Sequence, residues 1–185
     1  MTFRLHAFEP ASRANGPGLR AVIWFQGCTL GCPGCFNPGT HVPAGGNETE
    51  TVTLTAGLRA KPNGIEGVSF SGGEPFQQPE ALLDLLERLA GSGLSTLAFS
   101  GYTLREIEQQ SLGARILRHL DVLVAGRYVR SRHRASGLIG SSNQRIHFLT
   151  QRYSPADIAT LPDSEVILHV DGTMSLSGIA PRSLW

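Results

Sequence analysis

The cysteines of this 185-residue chain, Cys28, Cys32 and Cys35, all lie within one stretch of eight residues. Thiolates are the usual protein ligands of iron–sulfur clusters. In a [4Fe–4S] cubane each thiolate binds one iron, so a set of only three cysteines would leave one iron open to a substrate or cofactor. Glycines interleave these cysteines and let a short loop fold back with its N–H groups turned toward the sulfurs. The pattern therefore predicts a loop wrapped around one cluster.

Two other interpretations of the cysteines stay open at the level of sequence. A zinc site with three cysteines and one histidine could be completed by His41, which follows Cys35 by six residues. Structural zinc sites, however, usually come as two well-separated pairs of ligands. Buried structural cysteines have no reason to cluster, and an odd number of cysteines argues against a disulfide framework.

The segment SGGEPF, residues 71–76, is the second chemical signal in the chain. Its two glycines can bring bare backbone against a ligand, while Glu74 presents one carboxylate that suits a ligand with an amino group. The alternative is an ordinary turn between a strand and a helix, with Glu74 near the start of the helix.

Strands alternating with helices must position these residues. Apolar runs rich in β-favouring residues predict strands over 19–26, 65–71, 94–100 and 121–126. Leucines at helical spacing predict a helix over 79–90, a weaker helix is predicted to end near residue 60, and Thr103 with Glu106 forms a capping box. This alternation predicts an α/β fold with a parallel sheet, whose carboxyl edge is where active sites gather.

The end of the chain has a looser pattern. A polar, basic loop is predicted over 127–145, followed by a short strand over 146–149. The run EVILHV, a turn at Asp171-Gly172 and the run MSLSGI together predict a C-terminal hairpin.

The composition of the chain narrows its class. The length predicts a single domain over residues 1–185. A net charge of +1 gives no field that would recruit nucleic acid or an anionic membrane. The chain has no apolar run near the length of a membrane span, and its N-terminus is not that of a signal peptide. We expect a cytoplasmic protein, where reducing surroundings would protect an oxygen-sensitive cluster.

The run GPGLRAVIWFQGCTLGCPGCFNPGTH, residues 16–41, resembles the N-terminal signature of radical S-adenosylmethionine (SAM) enzymes. More narrowly, it resembles the activating proteins of anaerobic ribonucleotide reductases. The resemblance implies a partial (β/α) barrel in which Cys28, Cys32 and Cys35 hold a [4Fe–4S] cluster. It also implies that the amino and carboxylate groups of SAM chelate the open iron. An electron from the cluster then cleaves SAM into methionine and a 5′-deoxyadenosyl radical, which takes a hydrogen atom from a glycine of a partner enzyme.

The same resemblance implies contacts to SAM. It assigns Gly72, Gly73 and Glu74 to the methionyl amino group, and Ser100, just past the third predicted strand, to the carboxylate or ribose. Phe36 would cover the adenine or the cluster. The other interpretations are a plain turn for Ser100 and core packing for Phe36.

The resemblance to the reductase activators extends over most of the chain, but the loop after the fourth predicted strand differs from theirs. GSSNQR, residues 140–145, is typical of the reductase activators, and the ending DGTMSLSGIAP resembles their longer members. Relatives commonly have an acidic residue in place of Ala125 and an arginine in place of Ile139. The loop between them contains Arg127, Arg130, Arg132 and Arg134. These arginines form either a solvated surface or a docking patch for an acidic partner or a phosphorylated substrate.

The leading hypothesis is a radical SAM enzyme that installs a glycyl radical on a larger protein such as an anaerobic ribonucleotide reductase. An electron donor such as flavodoxin or ferredoxin is implied. A small barrel with an open side would admit a loop of a protein substrate, whereas enzymes acting on small molecules usually need further walls to exclude water. The alternatives are a stand-alone radical SAM enzyme acting on a small molecule or peptide, like the deazaguanine synthases, and a zinc or iron–sulfur module without catalysis.

Overall fold

The computed structural model describes residues 1–179 of the chain. The strands are β1 (Thr2–Ser12), β2 (Arg20–Phe25), β3 (Asn47–Glu50), β4 (Gly67–Gly72), β5 (Ser95–Ser100), β6 (Val122–Ala125), β7 (His133–Ser136), β8 (Ile139–Ser141), β9 (Arg145–Phe148), β10 (Ser164–Leu168) and β11 (Met174–Gly178). The helices are α1 (Thr51–Arg59), α2 (Pro79–Leu89), α3 (Leu104–Glu108), α4 (Gly113–Leu117) and α5 (Pro155–Ala159).

A mixed seven-stranded sheet organises the fold, in the order β3-β1-β2-β4-β5-β6-β9. The strands β2, β4, β5 and β6 are parallel, whereas β1, β3 and β9 pair antiparallel with their neighbours. The sheet of residues 1–179 is open at β3 and β9 and closes no barrel. No helix in this part of the chain is long and apolar enough to cross a membrane. The predicted α/β fold with a mostly parallel sheet is confirmed.

The sequence pattern located the central elements correctly. The strands predicted over 19–26, 65–71, 94–100 and 121–126 are β2, β4, β5 and β6, whose residues are almost all buried. Buried parallel strands read as continuous apolar runs, which is why they were recognisable. The helix predicted over 79–90 is α2, the capping box of Thr103 and Glu106 is present, and the C-terminal hairpin is β10–β11.

Three predicted loops or unassigned segments contain strands instead. The N-terminal segment forms β1, the polar loop before α1 contains β3, and the loop predicted over 127–145 contains the small hairpin β7–β8. These strands are held by backbone pairing along mixed or polar faces, so they have no apolar periodicity to reveal them. The last two residues of DGTMSLSGIAP lie outside the described residues.

One face of the sheet packs against the main hydrophobic core, and the other face lines a cavity. Side chains alternate between the faces of a strand. Ile23, Phe25 and Phe70 belong to the main core, which also contains buried leucines of α1 and α2. Trp24 and Ser71, which alternate with them, line a cavity on the opposite face. Helices α1 and α2 therefore cover one face, whereas on the other face α5 packs against β5 and β6 through Ile158, and the cavity lies beside it.

Arg20 fills this inner face near the amino ends of the parallel strands. Its fully buried guanidinium donates hydrogen bonds to Ser69 Oγ at 2.8 Å, Ser95 Oγ at 2.7 Å and the carbonyl oxygen of Val68 at 2.9 Å. Burial lowers the pKa of Arg20, and the hydrogen bonds offset part of that cost. The inner face is thus occupied at one end and open toward the carboxyl ends of the strands.

The C-terminal hairpin is fastened to the end of β1. The carboxylate of Glu165 accepts hydrogen bonds from the hydroxyl of Ser12 and from the N–H groups of the next two residues, at 2.9 and 3.3 Å. The amide of Asn15 donates to Ser177 Oγ at 2.6 Å. Polar contacts therefore hold the hairpin against the inner side of the sheet.

Replacing Glu165 by alanine should loosen this hairpin. Three donors would lose their acceptor, at a cost of roughly 1–3 kcal/mol. We expect faster hydrogen–deuterium exchange of the amides in β10 and β11, with little change in the parallel strands. Glu108→Ala, which removes an exposed carboxylate from α3, is the matched control. Unchanged exchange in the hairpin would show that other contacts hold it.

Candidate active site

The carboxyl ends of the parallel strands surround a cavity of about 520 Å³. The loops that follow β2, β4, β5 and β6 all contribute to its wall. Every residue that the sequence analysis assigned to the cluster or to SAM lies on this wall: Cys28, Cys32, Cys35, Phe36, Gly72, Gly73, Glu74 and Ser100. The topology thus brings residues from three separate loops to one space.

The cysteine loop follows β2 and is held at its base by backbone pairing. The N–H of Cys28 donates to the carbonyl oxygen of His41 at 3.2 Å. The N–H of Asn37 donates to Sγ of Cys35 at 3.4 Å, which is a contact of the predicted kind between backbone and sulfur. All three cysteines are partly buried, and burial raises the pKa of the Cys28 thiol. A bound cation would oppose this shift because it favours the thiolate.

The arrangement of the cysteines and of His41 distinguishes a site for a single zinc ion from an iron–sulfur cluster. Within residues 1–179, no group of three or more histidine, cysteine or acidic side chains is arranged so that it could bind a single metal ion. The ligands of a cubane need not converge in this way, because each thiolate binds a different iron. His41, the candidate fourth zinc ligand, is not among the residues that line the cavity with the thiols.

Gly72, the last residue of β4, and Gly73, which follows it, let this strand end pack directly on the cysteine loop. The N–H of Gly73 donates to the carbonyl oxygen of Phe25 at 2.8 Å. A Cβ atom at Gly73 would lie only 2.2 Å from the carbonyl oxygen of Gly27, so a side chain cannot be accommodated. Gly73 therefore has a packing role that the sequence analysis did not assign. The contact of Gly72 and Gly73 with SAM stays a prediction.

Glu74 is the most tightly held polar residue of the site and is only 1% exposed. Its carboxylate accepts hydrogen bonds from Phe76 N at 3.1 Å, Ser100 Oγ at 2.9 Å and Gly101 N at 2.7 Å. Burial raises the pKa of Glu74 to about 7. A carboxylate has about four lone-pair sites. One site therefore remains for a donor in the cavity, so the predicted contact with an amino group is available and stays a prediction.

Ser100 belongs to the same network. Its hydroxyl donates to Glu74 and accepts a hydrogen bond from Tyr102 N at 3.0 Å. The side chain is buried and lies on the cavity wall. Its assignment to the carboxylate or ribose of SAM stays a prediction.

Phe36 is part of an aromatic group beside the cysteine loop. Its ring centroid lies 4.6 Å from that of Tyr128 and 5.7 Å from that of His133, and Tyr128 Oη is 3.1 Å from His133 Nδ1. Phe36, Tyr128 and Gly140 all line the cavity. The sequence analysis found Phe36 by its place after the third cysteine, but nothing adjacent in sequence pointed to Tyr128 or His133.

The GSSNQR segment has a structural task. Gln144 Oε1 accepts from the N–H of Gly140 at 2.8 Å, and Gln144 Nε2 donates to the carbonyl oxygen of Gly126 at 2.9 Å. Asn143 Nδ2 donates to the carbonyl oxygen of Arg127 at 2.8 Å. The segment therefore ties the end of β6 to strand β8, which contains Gly140, and so supports the wall next to Phe36.

A second side of the cavity was not predicted at all. It is formed by residues of β1 and the loop after it and by residues of the C-terminal hairpin: His6, Glu9, Asn15, His169, Ser175 and Ser177. These residues carry no motif. Only the pairing of β1 with β2 and the position of the hairpin bring them to the site.

The four arginines after β6 have separate environments. Arg127 bridges both carboxylate oxygens of Glu106 at 2.9 Å, and its guanidinium lies 5.7 Å from the ring centroid of Tyr102. With the help of the Thr103 cap, it holds the pKa of Glu106 at about 2. Arg130 passes beside Gly34 of the cysteine loop, where a Cβ would lie 3.1 Å from Arg130 Cδ. Three of the arginines are exposed and have no such bridge to Glu106: Arg130, Arg132 and Arg134.

Comparison with known proteins is consistent with this geometry. Residues 14–147 match the model of a family described as a 4Fe-4S single cluster domain. The chain is 32% identical over 155 residues to the anaerobic ribonucleoside-triphosphate reductase-activating protein of Salmonella typhi. This match covers 79% of this chain and 99% of that protein. The corresponding protein of Escherichia coli K12 is 30% identical over 155 residues, with 78% and 97% covered.

The chain is also 40% identical over 126 residues to the pyruvate formate-lyase-activating enzyme of Clostridium pasteurianum. That match covers 65% of this chain and 50% of the enzyme, so the chain spans about half the length of this relative. Among solved structures, QueE from Escherichia coli is similar at a TM-score of 0.47 and 19% identity, over 56% of this chain and 54% of that one.

These matches confirm the resemblance read from the cysteine motif, together with the predicted [4Fe–4S] cluster and SAM as cofactors. The family model spans the cysteine loop, the GGE turn and all four parallel strands. The chain therefore belongs to the 4Fe–4S family of radical SAM proteins that activate glycyl radical enzymes.

Proposed function

We propose that this chain cleaves SAM reductively and installs a glycyl radical on a larger partner, an anaerobic ribonucleoside-triphosphate reductase. The observation that carries the proposal is the convergence of the CxxxCxxC loop, the GGE turn and Ser100 on one cavity. The reductase is the preferred partner because the relatives named for its activation match over nearly their whole length. We place the protein in the cytoplasm, because such a cluster needs reducing surroundings.

The residues present fit the two cofactors. We assign Cys28, Cys32 and Cys35 as the cluster ligands, since three thiols on one loop line the same wall. The cavity volume of about 520 Å³ lies within the range of roughly 300–1,000 Å³ typical of small-molecule sites. Such a space suits a ligand of the size of SAM, with one open end left for a substrate.

The chain itself supplies binding, orientation and exclusion of water. When bound, the cluster and SAM supply a 5′-deoxyadenosyl radical that abstracts a hydrogen atom from the partner's glycine. Gly72 and Gly73 present backbone to the methionyl end, and the remaining lone-pair site of Glu74 accepts from its amino group. Ser100 lies beside them for the carboxylate or ribose. Phe36 forms an apolar wall that keeps water from the reacting atoms.

An acidic electron carrier such as flavodoxin or ferredoxin is the proposed reductant. The exposed guanidinium groups of Arg130, Arg132 and Arg134 support this proposal, because they give the segment that begins beside the cysteine loop a positive charge. Arg130 begins this surface directly beside Gly34. A donor held there would lie next to the cluster, and electrostatic attraction would speed its association.

A stand-alone enzyme acting on a small molecule or peptide is the remaining alternative. The two functions differ in the destination of the radical. A glycyl radical on the reductase, observed by electron paramagnetic resonance, supports activation, whereas a modified small molecule formed without any protein partner would support the alternative.

The cysteine assignment predicts the loss of SAM cleavage in single variants. Wild-type protein reconstituted without oxygen should bind about four irons per chain. Alanine at Cys28, Cys32 or Cys35 should abolish formation of 5′-deoxyadenosine, because each change removes the ligand of one iron. Thr29→Ala, in the same loop, is the control and should retain cleavage. Stoichiometric zinc in place of iron, or full cleavage by any of the three cysteine variants, would contradict the assignment.

The Glu74 assignment predicts weaker SAM binding with an intact cluster. Glu74→Gln keeps the volume of the side chain and removes the charge. Losing a charge-assisted hydrogen bond should cost on the order of 1.5–3 kcal/mol, or at least tenfold in affinity. Equilibrium binding of SAM to the reconstituted variant measures this effect. Wild-type affinity would overturn the placement of the amino group.

The same variant tests the ionisation of Glu74. Because the folded pKa is raised from 4.5 to about 7, the folded apoprotein binds more protons than the unfolded chain between those values. The contribution of Glu74 to stability should therefore be greatest below pH 4.5 and decline as the pH rises toward 7. In urea unfolding, the wild type should lose stability relative to Glu74→Gln over this window. A difference in the free energy of unfolding between the two proteins that stays constant over this pH window would contradict the raised pKa of Glu74.

The arginine surface predicts a defect limited to electron delivery. Replacing Arg130, Arg132 and Arg134 by glutamine should slow SAM cleavage driven by reduced flavodoxin and flatten its dependence on ionic strength. Cleavage driven by dithionite, which needs no docking, should be unchanged. The double variant Arg105→Gln/Arg118→Gln, at exposed sites elsewhere, is the control. If the triple variant and the wild type cleave SAM at equal rates with flavodoxin at every salt concentration, these arginines are an ordinary solvated surface.

A further inference from the structure

The C-terminal hairpin has its apolar side chains on the outside. Outward-facing positions of the two strands pair across the hairpin, Val166 with Leu176 and Leu168 with Met174. Their exposed fractions are 59% for Val166, 73% for Leu168, 68% for Met174 and 41% for Leu176. These four residues, here called the outer face, form a continuous apolar surface.

The inner face of the same hairpin is mostly polar. It consists of Glu165, Ile167, Ser175 and Ser177, which alternate with the outer residues. Antiparallel hairpins normally bury the apolar side and expose the polar side. This hairpin has the reverse orientation relative to the body of the protein.

Hydrogen bonds fix this orientation. Glu165 is bound to Ser12 and to the N–H groups that follow it, and Ser177 is bound to Asn15. A slip of one residue would exchange the two faces, but it would break all of these contacts. The exposed apolar surface therefore follows from specific polar contacts on the opposite side.

Such a surface indicates an interface. Removing large aliphatic side chains from water is favourable, and four adjacent exposed ones do without this stabilisation. Contiguous apolar patches of this kind on a protein surface commonly mark contacts with another protein. Among the large apolar side chains exposed in residues 1–179, more than half lie on this hairpin and its turn.

The location of the hairpin indicates which protein would cover it. Ser175 and Ser177 of the inner face line the cavity, and Leu176 of the outer face lies between them at its edge, so the hairpin forms part of the cavity rim. The hairpin lies beyond residue 147, where the match to the family domain ends. A partner that delivers a backbone glycine into the cavity must pass its flanking residues over this rim.

We propose that the outer face is a docking surface for the glycyl radical partner and binds an apolar segment next to the glycine that enters the cavity. This inference rests on the proposed function. The partner's contact residues are apolar because the outer face offers no charge to pair. The arginine surface and the outer face then receive different proteins, one for the electron and one for the glycine.

The test uses a variant that removes apolar surface and preserves strand propensity. The triple variant Val166→Thr/Leu168→Thr/Met174→Thr leaves the cavity-lining Leu176 in place, and threonine is a good strand former. Glycyl radical formation is measured by electron paramagnetic resonance against the concentration of the anaerobic ribonucleoside-triphosphate reductase from the same organism. The apparent KM for the reductase should rise at least tenfold, with little change in kcat. Dithionite-driven SAM cleavage without the reductase should equal that of the wild type.

Two further variants keep the test decisive. Val166→Thr alone, which changes the strand least, should raise the KM by a smaller factor. Val52→Thr makes the same substitution at an exposed valine of α1 and should leave the KM unchanged. A wild-type KM in the triple variant with intact SAM cleavage would overturn the docking surface while leaving the proposed function in place.

Other occupants of the outer face would give different results. If the triple variant converts a dimer to a monomer in sedimentation and leaves the KM unchanged, a second copy covers the face and the proposal is overturned. If a chain ending at Ile179 newly binds an apolar dye, and the triple variant abolishes that binding, residues 180–185 cover it and the proposal is likewise overturned. If wild-type protein cleaves SAM but places no radical on the reductase, the proposed function fails first, and the docking proposal falls with it.

Discussion

The buried residue Glu74 joins the ends of three parallel strands. Its backbone N–H donates to the carbonyl oxygen of Gly27 at 2.9 Å in the loop after β2, while its carboxylate accepts from Ser100 at the end of β5 and from Gly101 directly after it. A buried carboxylate must be hydrogen-bonded, because leaving it unpaired costs several kcal/mol. The backbone and the side chain of Glu74 together therefore tie the ends of β2, β4 and β5 to one another on the cavity wall.

The same side chain links the fold to ligand binding. Burial raises the pKa of Glu74 to about 7, so near neutral pH the carboxyl is divided between its neutral and charged forms. An ammonium group bound at its remaining lone-pair site would favour the charged form. If the proposed contact with the amino group of SAM is made, ionisation of Glu74 and binding of SAM would by linkage strengthen each other. A residue that reads in the sequence as one end of a GGE motif thus acts both as a structural tie and as a proposed ligand contact.

The sequence predicted those parts of the fold and site in which buried strands form apolar runs or reactive residues have a characteristic spacing. The strands β2, β4 and β5 were recognisable as apolar runs, and Cys28, Cys32 and Cys35 by their spacing. The walls contributed by β1 and by the hairpin could not be foreseen, because backbone pairing and contacts between distant residues, such as Glu165 with Ser12, place them. Nor does any local pattern show that Arg20 would be wholly buried, since its partners Ser69 and Ser95 come from other strands.

We propose that this cavity holds the cluster and SAM in direct contact. Electron–nuclear double resonance on the reduced protein tests this contact with SAM labelled with ¹⁵N at the amino group and ¹³C at the carboxylate. We expect hyperfine coupling of both labels to the cluster in the wild type, and a weakened nitrogen coupling or lower occupancy in Glu74→Gln. A reduced cluster that shows no coupling to either label at saturating SAM would contradict it.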